Sequence, residues 1–135
     1  MRKLFSLLLI TLLLLLFSCD PPHTIEFINK GDSDLKIIFE IDTTVFNNDL
    51  DYLKNKTKDS IILIIKKRDT AEIHFGIGTW ADFEIKKQAE AFQKLIIINQ
   101  DFTTEYKSKE GIEKFLRKHR KKGFGLKTKL SIEIE

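Results

Sequence analysis

Three stretches of this chain alternate apolar and polar side chains residue by residue, and that period restricts the fold more than any other feature. In residues 35–42, Leu35, Ile37, Phe39 and Ile41 fall on one side, Lys36, Glu40 and Asp42 on the other. In residues 70–77, Ala71, Ile73, Phe75 and Ile77 share a side, opposite Glu72 and His74. In residues 127–135, Leu130, Ile132 and Ile134 oppose Lys129, Ser131 and Glu133. Successive side chains of an extended strand point to opposite faces, so each stretch predicts a strand with one face in a core and one in water. Two aliphatic runs, residues 61–65 and 95–98, lack the alternation and predict central strands covered on both faces. Residues 23–29, with Ile25 and Phe27 on one face, predict a further strand. The turn formers of residues 29–34 predict that it pairs with residues 35–42 as a hairpin with a long loop.

Helical spacing occurs twice. Ile85, Ala89 and Phe92 mark residues 81–94, a helix beginning at Trp80 with Thr79 as its cap. Trp80 itself reads as core rather than as a ligand-stacking ring. Ser108 is a good N-cap for a second helix, with Glu110 suited to its positive end. Ile112, Phe115, Leu116 and His119 give it one stripe, Glu110/Lys114 and Glu113/Arg117 are favourable pairs, and Gly123 is its stop. Phe46, Leu50 and Leu53 would suit a short third helix over a sheet edge. The sum is an α+β, mainly β domain: an antiparallel or mixed, sandwich-like sheet of about six strands with one or two covering helices. The connection from residue 95 to residue 127 is long enough for a crossover that would make the last strand pair parallel.

The N-terminus sets the address. Arg2 and Lys3 precede an apolar run, residues 4–17, relieved only by Ser6 and Thr11. That is the layout of a secretory signal peptide. As a helix the run rises about 21 Å, short of the roughly 30 Å hydrocarbon core of a bilayer. It ends in Leu16-Phe17-Ser18-Cys19. This resembles the bacterial lipobox, with Leu three places before the Cys and a small residue directly before it; Phe17 departs from the usual small or aliphatic residue. The resemblance implies removal of residues 1–18 as a lipoprotein signal peptide. It also implies a thioether-linked diacylglycerol on Cys19 and, on the freed amine, an acyl chain such as palmitate. Each buried methylene contributes about 0.8 kcal/mol, so two or three chains hold durably. Residues 19–23 then form a lipid-anchored tether stiffened by Pro21-Pro22, and residues 24–135 one globular domain. The alternative is an ordinary secreted protein with an incidental Cys19. The expected location is the cell envelope as a lipid-anchored membrane protein, with the outer membrane preferred. Asp20 resembles an inner-membrane retention signal of some bacteria, but that rule does not transfer between phyla.

With the leader read, the chain resembles small lipoproteins of the Bacteroidota. The residues that carry this are Leu16 to Cys19, the segment I-E-F-I-N-K-G-D-S-D-L (residues 25–35), the Trp80 segment, and L-I-I-I-N-Q-D (residues 95–101) followed by a charged helix and a last alternating strand. The resemblance brings no activity and no binding residue.

Catalytic patterns are sparse. His23, His74 and His119 fall in unrelated elements, without a second ligand at zinc spacing, so no metal or cofactor is expected. Asn47, Asn48, Asp49 and Asp51 lack the spacing of a calcium loop. Gly76-Ile77-Gly78 is only a fragment of a dinucleotide fingerprint. The chain carries a formal charge of +3, and two of its cations, Arg2 and Lys3, lie in the leader. The balance implies no nucleic-acid partner. One cluster stands out, Arg117, Lys118, Arg120, Lys121 and Lys122 with His119 among them. Cations near a helix C-terminus contribute about 0.3–1 kcal/mol each through the dipole, which explains the cluster without a ligand. The functional reading is a basic interaction patch for anionic headgroups or an acidic partner, each Lys or Arg adding about 1 kcal/mol near a membrane. The chain is thus expected to be no enzyme but a non-catalytic binding or interaction module for an envelope protein or glycan. The alternative is an immunity or inhibitor lipoprotein against an exported toxin or hydrolase. A minor alternative is an envelope hydrolase, which would need a polar pocket around His74 or His119.

Overall fold

Period-two burial organises the molecule. Leu35, Ile37, Phe39 and Ile41 are all buried, as are Ile61, Leu63 and Ile65, and Leu130, Ile132 and Ile134. The computed structural model describes residues 22–45, 57, 59–123 and 126–135. Among these, the elements in chain order are β1 (Pro22–Asn29), β2 (Leu35–Ile41), β3 (Ser60–Ile65), β4 (Thr70–Ile77), α1 (Asp82–Glu90), β5 (Phe92–Ile98), β6 (Thr103–Tyr106), α2 (Lys109–Lys118), β7 (Arg120–Gly123) and β8 (Leu126–Ile134). The strands form two four-stranded sheets, β4-β1-β8-β7 (sheet A) and β3-β2-β5-β6 (sheet B). β1 and β8 run parallel and every other pair is antiparallel. The fold is therefore α+β and mainly β, a sandwich with one mixed sheet.

The core lies between the sheets. Phe27, Phe39 and Phe92 form its aromatic spine, with ring centroids 5.9 and 4.5 Å apart. Burying each such side chain stabilises the fold by about 1.5–3 kcal/mol. α1 packs on α2, and α2 lies against β5 and β6. Ile85 and Ala89 from α1, and Ile112 and Leu116 from α2, join the same core. The Ser108 hydroxyl accepts from the Gly111 amide at 3.0 Å, the N-cap foreseen in the sequence.

Several expectations are corrected. β1 and β2 are not a hairpin; they lie in different sheets, and residues 30–34 arch from one layer to the other. The deciding group is the Asn29 side chain, 3% exposed. Its amide nitrogen donates to the carbonyls of Ser33 (2.8 Å), Lys66 (3.1 Å) and Ile65 (3.3 Å), and its oxygen accepts from the Gly31 amide (3.0 Å). One carboxamide thus fastens the β1–β2 arch to the β3–β4 arch. Turn formers specify a reversal, but an arch reverses the chain as well as a hairpin does.

β3, the run of five aliphatics, is an edge strand of sheet B rather than a central one. Only its inward side chains are covered, and Ile64 is 67% exposed. β5 does lie inside sheet B, but begins earlier than expected, at Phe92. The parallel pair exists with a different partner: β8 pairs with β1, not with β5. Residues 103–106 form β6 against β5.

The first helix is shorter than its spacing suggested. Trp80 is withdrawn into the core, where its indole donates to the Thr24 carbonyl at 2.8 Å, so Ala81 becomes the N-cap. The second helix stops at Lys118, not at Gly123. The Ser131 amide of β8 takes the His119 carbonyl at 3.1 Å, and the chain continues as β7. β1 starts at Pro22, and His23 is buried against Trp80, so residues 22 and 23 belong to the domain.

Ile77 does not face inward. Thr24 pairs with His74 but Pro22 with Ile77, so β4 carries one extra residue, a bulge served by Gly76 at φ +95°. A bulge re-aims the residues after it, and Ile77 is 70% exposed. The expected short helix around Phe46, Leu50 and Leu53, and Asn47, Asn48, Asp49 and Asp51, lie outside the described residues.

Candidate functional site

The two sheets present chemically opposite outer faces. On sheet A, Lys129 Nζ sits 2.6 Å from Glu26 and 3.3 Å from Glu72. Ser131 donates to Glu26 at 2.9 Å, and Lys121 and Lys30 reach Glu133 at 2.9 and 3.3 Å. Burial raises the pKa of Glu26, but the hydrogen bonds from Lys129 and Ser131 outweigh it and hold the carboxyl below its usual range. Hydrogen bonds from Lys121 and Lys30 lower that of Glu133. These charges answer one another.

Sheet B differs. Its register aligns Ile64, Lys36 and Ile98 in one row and Ile62, Ile38 and Ile96 in the next. All six point away from the core, because their chain neighbours Ile37, Leu63 and Ile97 are buried. Five isoleucines therefore line an outer face; Ile64 is exposed and the other four are partly so. A charged row borders them, with Lys94 3.7 Å from Glu40 and 3.8 Å from Glu105. Tyr106 packs on Phe115 at 4.7 Å, and Ile112 and Leu116 join the core, so α2 lies on the inner side. This face was missed in the sequence, although a signal existed. Ile38 occupies an outward place in β2 where Lys36 and Glu40 set a polar pattern, and the aliphatic run of β3 puts Ile62 and Ile64 on the same face.

Of the residues proposed from sequence, Cys19 lies outside the described residues. Arg117, Lys118, Arg120, Lys121 and Lys122 are split between the end of α2 and β7. Arg117 bonds Glu113 (2.7 Å) and Asp82 (2.8 Å), and Arg120 bonds Asp82 and the Trp80 carbonyl. Lys121 is held by Glu133. Lys118 remains exposed. The side chain of Lys122 is outside the described residues. Much of the cluster therefore ties α1, α2 and β7 together, which accounts for its density. Surface pairs of this kind contribute about 0–1 kcal/mol each.

Lys118, His119, Arg120, Lys121, Ser131 and Glu133 line an open depression of about 310 Å³. His119 Nδ1 is 2.8 Å from the Phe115 carbonyl, to which it donates, and the Ser131 hydroxyl donates to Glu26. The histidine and the serine are thus turned to different partners. His74 is exposed, 3.6 Å from Glu72. Among the described residues no group of three or more His, Cys, Asp or Glu side chains could hold a metal ion. No described helix is long and apolar enough to cross a membrane.

His23 is buried near the start of β1. Its ring lies 3.8 Å from Trp80 and 6.2 Å from Phe75, and its Nε2 is buried without a hydrogen-bond partner among the described residues. Burial pushes its pKa below the usual value, against a weaker upward pull from Glu84. The unfolded chain therefore takes up a proton before the folded one does. The stability this imidazole contributes is complete above the ordinary pKa of about 6.5 and is lost as pH falls through it. Urea unfolding at about pH 7.5 and about pH 5.5, on either side of that value, is expected to show a clear loss at the lower pH, and His23→Phe to flatten it. Equal stability at both pH values in the unsubstituted protein would refute the assignment.

Set against known protein families, functionally characterised proteins and solved structures, the chain matches none.

Proposed function

We propose that the chain is a lipid-anchored module of the cell envelope that binds a partner rather than transforming one. The observation that carries the binding part is the isoleucine face of sheet B. Ile38, Ile62, Ile64, Ile96 and Ile98 form a contiguous aliphatic surface on three neighbouring strands. Such a surface, rimmed by charge, marks an interaction site more often than an accident of composition. The ionic groups of sheet A support the same reading, since they are engaged with one another.

The anchor part rests on the resemblance of Leu16 to Cys19 to a lipobox. Cys19 precedes Pro22 by three places, so a lipid there would hold the start of β1 within about 10 Å of the bilayer. Growth with an alkyne-bearing fatty acid is expected to label the protein, and Cys19→Ala to abolish the label and release the protein from membranes. An unlabelled wild-type protein would overturn the anchor. A photo-crosslinker at Ile96 is expected to give a discrete adduct with another envelope component, and one at Glu72 none. Failure at Ile96 with the anchor intact would overturn the binding role alone.

A further inference from the structure

β3 is composed like a strand from the middle of a sheet, yet it stands at an edge. Its outward residues, Ile62 and Ile64, are as aliphatic as its inward ones, Ile61, Leu63 and Ile65. Among the described residues it pairs with β2 alone. The Asp59 carbonyl accepts from the Ile41 amide at 2.8 Å, which fixes the alternation. Asp59, Ile61, Leu63 and Ile65 turn their backbone groups toward β2, and Ile62 and Ile64 turn theirs away.

Natural sheet edges are blunted by charge, brevity or bulges. Three edges of this molecule obey that rule. β4 has Glu72, His74 and the Gly76 bulge; β6 has four residues and Glu105; β7 has four residues, of which Arg120, Lys121 and Lys122 are basic. β3 has no proline, no charge and no register shift against β2.

The edge is also complementary to itself. An antiparallel pair centred on Leu63 sets Ile62 of one copy opposite Ile64 of the other, twice, with their outward N–H and C=O groups in register. Each of these residues then exchanges two hydrogen bonds across the junction. Beyond the strand ends, the same count places Asp59 of one copy nearest Lys67 of the other, also twice. Both side chains are exposed. The β2–β3 layer thus offers an apolar centre flanked by opposite charges arranged with two-fold symmetry.

We propose that two copies of this chain join antiparallel through β3, forming one continuous eight-stranded sheet. The contact is isologous and closes at two copies. It turns β3 into the central strand that its composition calls for. It also merges the two isoleucine faces into one surface. The proposal is independent of the lipid on Cys19 and of the partner that this surface binds.

The test uses the full-length protein in detergent, with mass measured by light scattering and folding followed by Trp80 fluorescence. The unsubstituted protein is expected to be a dimer at micromolar concentration, and Ile64→Lys, at an exposed position, a folded monomer. Asp59→Lys is expected to weaken association about tenfold, and adding Lys67→Asp to restore it. Under mild oxidation, a chain carrying both Ile62→Cys and Ile64→Cys is expected to form disulfide-linked dimers far beyond either single variant. A wild-type monomer, equal cross-linking by the single variants, a ladder of larger species, or no rescue by the charge swap would each overturn the proposal.

Discussion

Trp80→Ala is expected to destabilise the protein by about 4–5 kcal/mol, a larger loss than that expected at any other position. Trp80 is fully buried and is the only tryptophan of the chain. Its ring stacks on His23 at 3.8 Å and meets Phe75 edge-on at 5.7 Å. Removing it leaves a cavity, which costs about 3–5 kcal/mol for an aromatic residue in a core. It also leaves the Thr24 carbonyl, in a residue 4% exposed, without its donor. Trp80→Phe keeps much of the volume and is expected to cost about half as much, chiefly through that carbonyl. Urea unfolding followed by far-ultraviolet circular dichroism measures both. A loss under about 2 kcal/mol for the alanine variant would show that the segment between β4 and α1 is not integral to the core.

The second large effect is expected at Asn29. Asn29→Ala removes a donor shared by three carbonyls and the acceptor for the Gly31 amide. The Ile65 carbonyl belongs to a residue only 2% exposed, so water replaces the lost bond poorly. A loss of about 3 kcal/mol is expected from leaving buried polar groups unpaired. Asn29→Asp is expected to be at least as harmful despite its matching shape. A carboxylate donates nothing and would confront carbonyl oxygens at the places where the amide nitrogen now sits. Hydrogen exchange should then quicken in both arches together, at Gly31 in the first and Asp69 in the second. Faster exchange in one arch alone would mean that the side chain supports that arch and does not join the two.

The sequence made legible only those features that a local pattern encodes. Alternation in residues 35–42 fixed which side chains of β2 are buried, because a period of two has one physical cause. The Ser108 cap was legible for the same reason: an oxygen at that place meets a free amide one turn on. Strand partnership was not legible. β1 and β2 look like a hairpin because the sequence between them reverses the chain, and only the contacts of Asn29 with Ser33, Ile65 and Lys66, far apart in sequence, distinguish an arch. The aliphatic run of β3 correctly announced a strand with two apolar faces but not where it would lie. The basic cluster was visible as a composition, whereas its engagement by Asp82, Glu113 and Glu133 depends on tertiary packing. The His23–Trp80 stack had no signal at all, since the two rings lie far apart in the chain and each alone is ordinary.

The parallel pairing of β1 with β8 has a temporal consequence. Phe27 lies in register with Ile132, and all of sheet B and both helices intervene in the chain between them. Closing so long a loop costs only a few kcal/mol of chain entropy, which grows with the logarithm of its length, but it slows the search. Until β8 has been synthesised, a nascent chain of this design has a gap beside β1. Sheet A can therefore close only when the tail arrives.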